Sequence, residues 1–213
     1  DEVRALCPMV YYHVWDNFPV PLYNKPFYDS TDYVVTISKV TEKIVKTCSP
    51  DNFGGHISHA VNSNIFKKLT KQEDTEKVDA IRHNLIQASD TYNSPSKKIF
   101  FWNNRNARRK QSGTLIWWFK EWLDKVGHDK AVLLMHTDPR DPHGQDLPHL
   151  IEHLGLNKSQ ILLSTQKTSS EDLAVMYNAA DFTINISDAE GFGLATLESL
   201  ACGTPIIVNM TGG

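Results

Sequence analysis

DFTINISDAEGFGLATLESLACGTPIIVN, residues 181–209, carries a strand pattern, a glycine-bracketed turn, a short apolar helix pattern and a second strand pattern in succession. Strand, helix and strand in that order form the repeating unit of a parallel sheet, because the crossover helix returns the chain to the same sheet edge. The same alternation extends backward to Ser96. KKIFFW (97–102) reads as a buried strand, and LIWWFKEWLDKV (115–126) places Leu115, Ile116, Phe119, Trp122, Leu123 and Val126 on one helical face. AVLLMH (131–136) and QILLS (160–164) are further strands, with a helix near Leu147–Leu154 between them. Ser169 and Asp172 have the spacing of a capping pair that opens another helix. The expectation is an α/β fold, a Rossmann-like parallel sheet flanked by helices.

Residues 1–66 differ in texture. CPMVYYHVW, DYVVTIS and HISHAV are short strand-like runs, and VTEKIVKTC between the last two has the pattern of a short helix. They predict a partial second α/β unit at the N-terminus. Residues 67–95 are charge-rich with a weak helical period and read as a charged helix and linker, which leaves 96–213 as the main sheet domain. The chain starts at Asp1 without methionine and stops at Gly213, so the expectation is a stretch cut at both ends.

Two features break local rules. With the 193–202 helix starting near Gly193, Leu194, Leu197 and Ala201 define an inward stripe, and Glu198 falls on it. A carboxylate facing the core side needs a hydrogen-bonding partner or a ligand, because unpaired burial is costly. Glu198 is either a cap on neighbouring amides or a ligand group. Glu190 precedes Gly191-Phe192-Gly193, a turn whose backbone can come close to a ligand and whose amides open a helix. The second feature is NNRNARRKQS (103–112), where Arg105, Arg108, Arg109 and Lys110 crowd the N-terminus of the next helix, the end whose dipole disfavours cations. A solvated charge run is one reading. The other is an anion bound between the run and the sheet's carboxyl end, and a pyrophosphate fits its charge.

Composition narrows the classes. A net charge of −3 gives no electrostatic footprint for nucleic acid. Apolar runs are too short to span a bilayer, and no leader pattern opens the chain. Cys7, Cys48 and Cys202 are odd in number and widely spaced, which favours free thiols and a cytoplasmic setting.

E-G-F-G-L-x-x-x-E-x-x-A-x-G-x-P, from Glu190 to Pro205, resembles the signature of family 4 glycosyltransferases of the GT-B fold. Arg105 to Lys110 (R-x-x-x-x-K) sits at that family's phosphate-binding position, and residues 169–187 resemble the segment before the signature. HAVNSNIF (59–66) is similar to the opening of the family's C-terminal domain, with Ala60 where glycine is usual; residues 11–19 and 30–38 resemble the end of its N-terminal domain. The resemblance implies that 1–66 is the tail of an acceptor-side domain and 96–213 a donor-binding domain truncated at its C-terminus. It implies a retaining glycosyltransferase that takes a sugar from a nucleoside-diphosphate sugar, without metal or other cofactor. Glu190, Arg105 and Lys110 would be catalytic. Glu198 would hold the ribose, the amides of Gly191, Phe192, Gly193 and Leu194 the sugar and phosphate oxygens, Arg109 would substitute for either cation, and Ser164 would border the base. The partners implied are the nucleotide sugar and a glycan, lipid or small-molecule acceptor, with peripheral membrane association through a part outside this stretch. The isolated stretch is expected to transfer little or nothing.

Two other functions fit the same residues: a non-catalytic nucleotide or sugar-phosphate binding module, and a GT-B-type sugar-nucleotide epimerase. His149 and His153, four apart with Asp146 nearby, have a zinc-compatible spacing or line a solvent-facing helix. His13 and Asp16 are either sugar-facing or structural. Trp117 points off its helix stripe, as a contact with another domain or subunit would require.

Overall fold

The computed structural model describes residues 5–15, 19–89 and 96–212, without the side chain of Glu73. The chain forms two compact units. One comprises residues 1–60, 189–194 and 210–213, the other residues 61–188 and 195–209.

The first unit is built on a parallel sheet of β1 (Val10–His13), β2 (Tyr33–Thr36) and β3 (Phe53–His56), in that order. Helix α1 (Lys25–Asp29) precedes β2, and α2 (Lys39–Cys48) follows it. Ser38 starts α2 by accepting from the Thr41 amide at 3.1 Å. Tyr28, Val34, Ile44, Val45 and Cys48 form the core. The third strand is FGGH rather than the expected HISHAV. Two glycines weaken the strand signal, and Gly55 takes φ 133°, a conformation open to glycine alone, opposite Val35.

The second unit holds β4 (Lys98–Asn103), β5 (Ala131–His136), β6 (Ile161–Ser164), β7 (Phe182–Asn185) and β8 (Ile206–Val208), all parallel, in the order β6-β5-β4-β7-β8. Its helices are α3 (Gln72–Ser89), α4 (Ser112–Val126), α5 (Leu147–His153), α6 (Ser170–Ala179) and α7 (Leu194–Ala201). The near-continuous apolar run of β4 follows from burial on both faces. Phe100 and Trp102 pack with Leu115, Ile116, Phe119 and Leu123 of α4, while Ile99 and Phe101 pack with Ala174 and Tyr177 of α6. Ser169 caps α6 as its spacing predicts, accepting from the Asp172 amide at 3.1 Å.

Several sequence expectations shift. Residues 67–95 contain α3, whose Leu85 and Ile86 pack on the β4 core and whose Arg82 pairs with Asp181 at 2.8 Å, so this helix is part of the second unit rather than a linker. Phe66, the expected boundary, also lies in that core. On α4, Trp122 and Val126 are 39% and 41% exposed, although Trp122 sets its ring against Phe100 of β4. On α7, Ser199 is buried and Leu194 exposed, so the inward face is centred one residue later than predicted. The Ser199 hydroxyl donates to Thr183 Oγ1 at 2.8 Å, which explains a polar residue at that place.

The geometry generates two predictions. His13 is buried, with Tyr28 Oη 2.8 Å from its Nε2, and burial pushes its pKa down to about 4. The unfolded chain therefore takes the proton more readily. The stability that His13 contributes is complete above pH 6.5 and falls between 6.5 and 4, by up to about 3 kcal/mol. Thermal unfolding across that range is expected to show a flatter pH slope for His13→Asn than for the wild type; equal slopes contradict the assignment. Ser169→Ala is expected to lower stability by about 1 kcal/mol in urea unfolding, against a near-neutral Ser170→Ala.

Candidate functional site

Strand order reverses at β4. From it the chain proceeds to β5 and β6 on one side, then returns to β7 and β8 on the other. In open α/β sheets this reversal leaves a crevice outside the carboxyl ends of the two central strands. Residues 104–111 leave the end of β4, and residues 186–188 leave the end of β7. The two loops are joined: the Asp188 amide donates to the Arg109 carbonyl at 2.8 Å, and Gln111 Nε2 donates to Asp188 Oδ2 at 2.5 Å. Gln111 is the one non-glycine residue with positive φ among the described residues, at 55°. Its Oε1 also accepts from Thr114 Oγ1 at 2.7 Å, so side-chain bonds at both ends compensate a left-handed backbone.

Glu198 reaches the same end of β4. Tyr177 Oη donates to Glu198 Oε2 at 2.7 Å and accepts from Asn103 Nδ2 at 2.9 Å. Tyr177 is fully buried and Glu198 half-buried. Burial raises the Glu198 carboxyl above its ordinary range, and the Tyr177 bond works against that rise. Burial, with the Glu198 charge adding to it, raises the tyrosine far above its ordinary range, so the hydroxyl stays protonated as a donor.

The basic run contains differently situated cations. Lys110 is buried, at 7% exposure, in a single 3₁₀ turn with Arg108 and Arg109. Arg105 is exposed, and its Nε donates to Asp141 Oδ2 at 2.6 Å while its Nη2 lies 2.8 Å from His143 Nδ1. This guanidinium holds Asp141 far below the usual carboxylate range. The 138–143 loop therefore answers part of the charge that the sequence reading left for an anion. Buried Asn104 Nδ2 and Thr137 Oγ1, just past the ends of β4 and β5, have no hydrogen-bond partner. Ser164 ends β6, its hydroxyl 2.9 Å from His136 Nδ1.

The Glu190 turn is counted with the first unit and Glu198 with the second. Glu190 is buried, at 7% exposure. Gly193 takes φ 89°, a backbone conformation that favours glycine, and a Cβ on Gly191 would collide with the Val14 side chain at Cγ1. Phe192 sets its ring edge against His59, with centroids 5.8 Å apart. The Leu194 amide opens α7.

The remaining candidates separate clearly. Asp146 caps α5, accepting from the His149 amide at 3.0 Å, and no group of three or more His, Cys, Asp or Glu side chains is placed to hold a metal among the described residues. Trp117 is 50% exposed on α4. Asp16 lies outside the described residues. Among those residues, no helix is long and apolar enough to cross a membrane. The sequence reading missed Tyr177, Asn103, Asp141 and Gln111. Tyr177 reads as a core aromatic three residues after Ala174, and its hydroxyl is the one signal that it does more.

Comparison with known proteins bears on the family and the fold. The family model described as glycosyl transferases group 1 matches residues 88–213. The D-inositol 3-phosphate glycosyltransferase of Corynebacterium jeikeium is 30% identical over 119 residues, 54% of this chain and 28% of that protein. Among solved structures, the α,α-trehalose 6-phosphate synthase of Burkholderia multivorans aligns with a TM-score of 0.76 at 12% identity, over 99% of this chain and 54% of its own. The catalytic domain of starch synthase IV from Arabidopsis thaliana, bound to ADP and acarbose, aligns with a TM-score of 0.64 at 15% identity, over 89% of this chain and 41% of its own. The chain thus spans under a third of that curated relative and roughly half or less of these structures, whose likeness is one of fold. With the family model covering residues 88–213, this chain belongs to the glycosyl transferases group 1 family.

Proposed function

We propose that the chain is the donor-binding part of a retaining glycosyltransferase of family 4 that moves a sugar from a nucleoside-diphosphate sugar to an acceptor. One observation carries the reading. The Glu198–Tyr177–Asn103 link seats a half-buried carboxylate at the carboxyl end of β4, two residues before Arg105, at the point where strand order reverses. A ribose offers two adjacent hydroxyl donors to such a carboxylate, and the diphosphate then extends toward the basic loop.

The roles follow from the charges. Lys110, together with Arg109, neutralises the diphosphate as negative charge grows on the leaving group, which stabilises the transition state electrostatically. Arg105, whose guanidinium is exposed while it pairs with Asp141, takes part by sharing that guanidinium between phosphate and Asp141. These cations serve in place of a metal ion. Glu190 and the amides of Gly191 to Leu194 act on the donor sugar, and Ser164 borders the base. The ADP reported in the starch synthase neighbour is consistent with a nucleotide in this fold.

Calorimetric titration with UDP, GDP and ADP is expected to show binding of at least one, unchanged by EDTA and weakened by salt. Glu198→Gln is expected to weaken it about tenfold, as loss of a charged hydrogen bond does. Absence of binding by all three, on folded protein, overturns the reading. In a chain carrying the full length of its relatives, Glu190→Gln is expected to reduce transfer at least about a hundredfold while the nucleoside diphosphate still binds.

A further inference from the structure

We propose that Tyr177, oriented by Asn103, is a positioning residue that sets the Glu198 carboxylate for ribose recognition and thereby determines discrimination between ribo- and deoxyribonucleotides. The inference rests on the proposed reading of Glu198 and goes beyond it, since neither Tyr177 nor Asn103 carries a role in that reading.

The direction of the hydrogen bonds is the core of the argument. The Asn103 amide has only protons to offer through Nδ2, so at 2.9 Å it makes Tyr177 Oη an acceptor. The tyrosine proton is then directed to its other neighbour, Glu198 Oε2 at 2.7 Å. Only an ionised carboxylate has both oxygens available as acceptors: one for the tyrosine, the other for a donor from a ligand. The relay therefore favours the charged form of Glu198 against the effect of burial and fixes the plane of its carboxylate. Three elements contribute, β4 through Asn103, α6 through Tyr177 and α7 through Glu198, so the carboxylate is held by packed secondary structure rather than by a loop. The ring is locked as well: Tyr177 meets Phe101 and Phe66 edge-on, with centroids 5.1 and 6.2 Å away. A fixed carboxylate discriminates by geometry, because a ligand lacking ribose hydroxyls leaves its second oxygen desolvated and unpaired.

Protonation gives an independent readout. The titratable groups that act on this cluster are Tyr177 from α6 and Cys202 just beyond α7. Burial pushes the Cys202 thiol up to about 11, so both remain neutral from pH 4 to 8 and Glu198 is the member that titrates. Ribose binding needs the carboxylate, so it is lost as pH falls through the Glu198 pKa. Removing the tyrosine hydroxyl removes the bond that opposes the burial shift, and the loss then begins at higher pH.

The experiment uses the full chain, the tightest-binding of UDP, GDP and ADP, and its 2′,3′-dideoxy analogue, titrated from pH 8 to pH 4. The wild type is expected to prefer the ribonucleotide. Tyr177→Phe, which keeps the ring, is expected to weaken ribonucleotide binding about tenfold, leave the dideoxy form within about twofold, and move the acid loss of binding to higher pH. Asn103→Asp, which draws the tyrosine proton away from Glu198, is expected to act in the same direction and serves where Tyr177→Phe fails to fold. A folded Tyr177→Phe with wild-type preference and an unmoved acid limb overturns the positioning role alone. A wild type that binds the dideoxy form as well as the ribonucleotide, with Glu198→Gln unchanged, overturns the reading of Glu198 beneath it.

Discussion

The hydrogen bond from Tyr177 to Glu198 is the constraint on which the rest of this structure turns. A carboxylate in a half-buried place loses hydration and tends to take up a proton, which would leave it a poor acceptor. A buried tyrosine that cannot ionise offsets part of that penalty with a permanent donor. With the Asn103 bond to the same hydroxyl, the link spans three elements of the second unit, so the position of one oxygen depends on the packing of β4, α6 and α7 together. Chemistry at the sheet end and burial in the core are here one arrangement.

The basic loop answers a complementary problem. Cations at a helix N-terminus repel both each other and the helix dipole. The chain limits the cost by giving Arg105 to Asp141 and His143 and by tying the loop to Asp188. Gln111 accepts a left-handed backbone to make that tie. Loops leaving two central strands are thereby held in one register before any ligand arrives, and preorganisation of that kind is what electrostatic catalysis requires.

Much of the fold was legible because burial imposes periodicity. The five strands of the second unit and the helices between them follow from apolar runs and capping spacing, and Ser169 is an N-cap as its sequence context requires. FGGH was hidden because glycine carries no strand signal, and the packing of α3 was hidden because Leu85 and Ile86 are diluted among charges. At the site, Glu198 was legible as a carboxylate in an apolar setting and Lys110 as part of a costly charge run. Tyr177, Asn103 and Asp141 were not, since partners 21, 74 and 36 residues away along the chain leave no local pattern. The inward face of α7 was misjudged for a related reason. Ser199 is buried by bonds to Thr183 and Thr204, which hydrophobicity does not count.

The central claim is that one nucleotide lies across the carboxyl end of β4 with its ribose on Glu198 and its phosphates on the 105–110 loop. A crystal structure of the chain with a bound nucleoside diphosphate tests it most directly. The account predicts ribose oxygens within hydrogen-bond distance of Glu198, whose other carboxylate oxygen keeps Tyr177, and phosphate oxygens against Lys110. A nucleotide seated elsewhere, with Glu198 making no contact to the ribose, contradicts it.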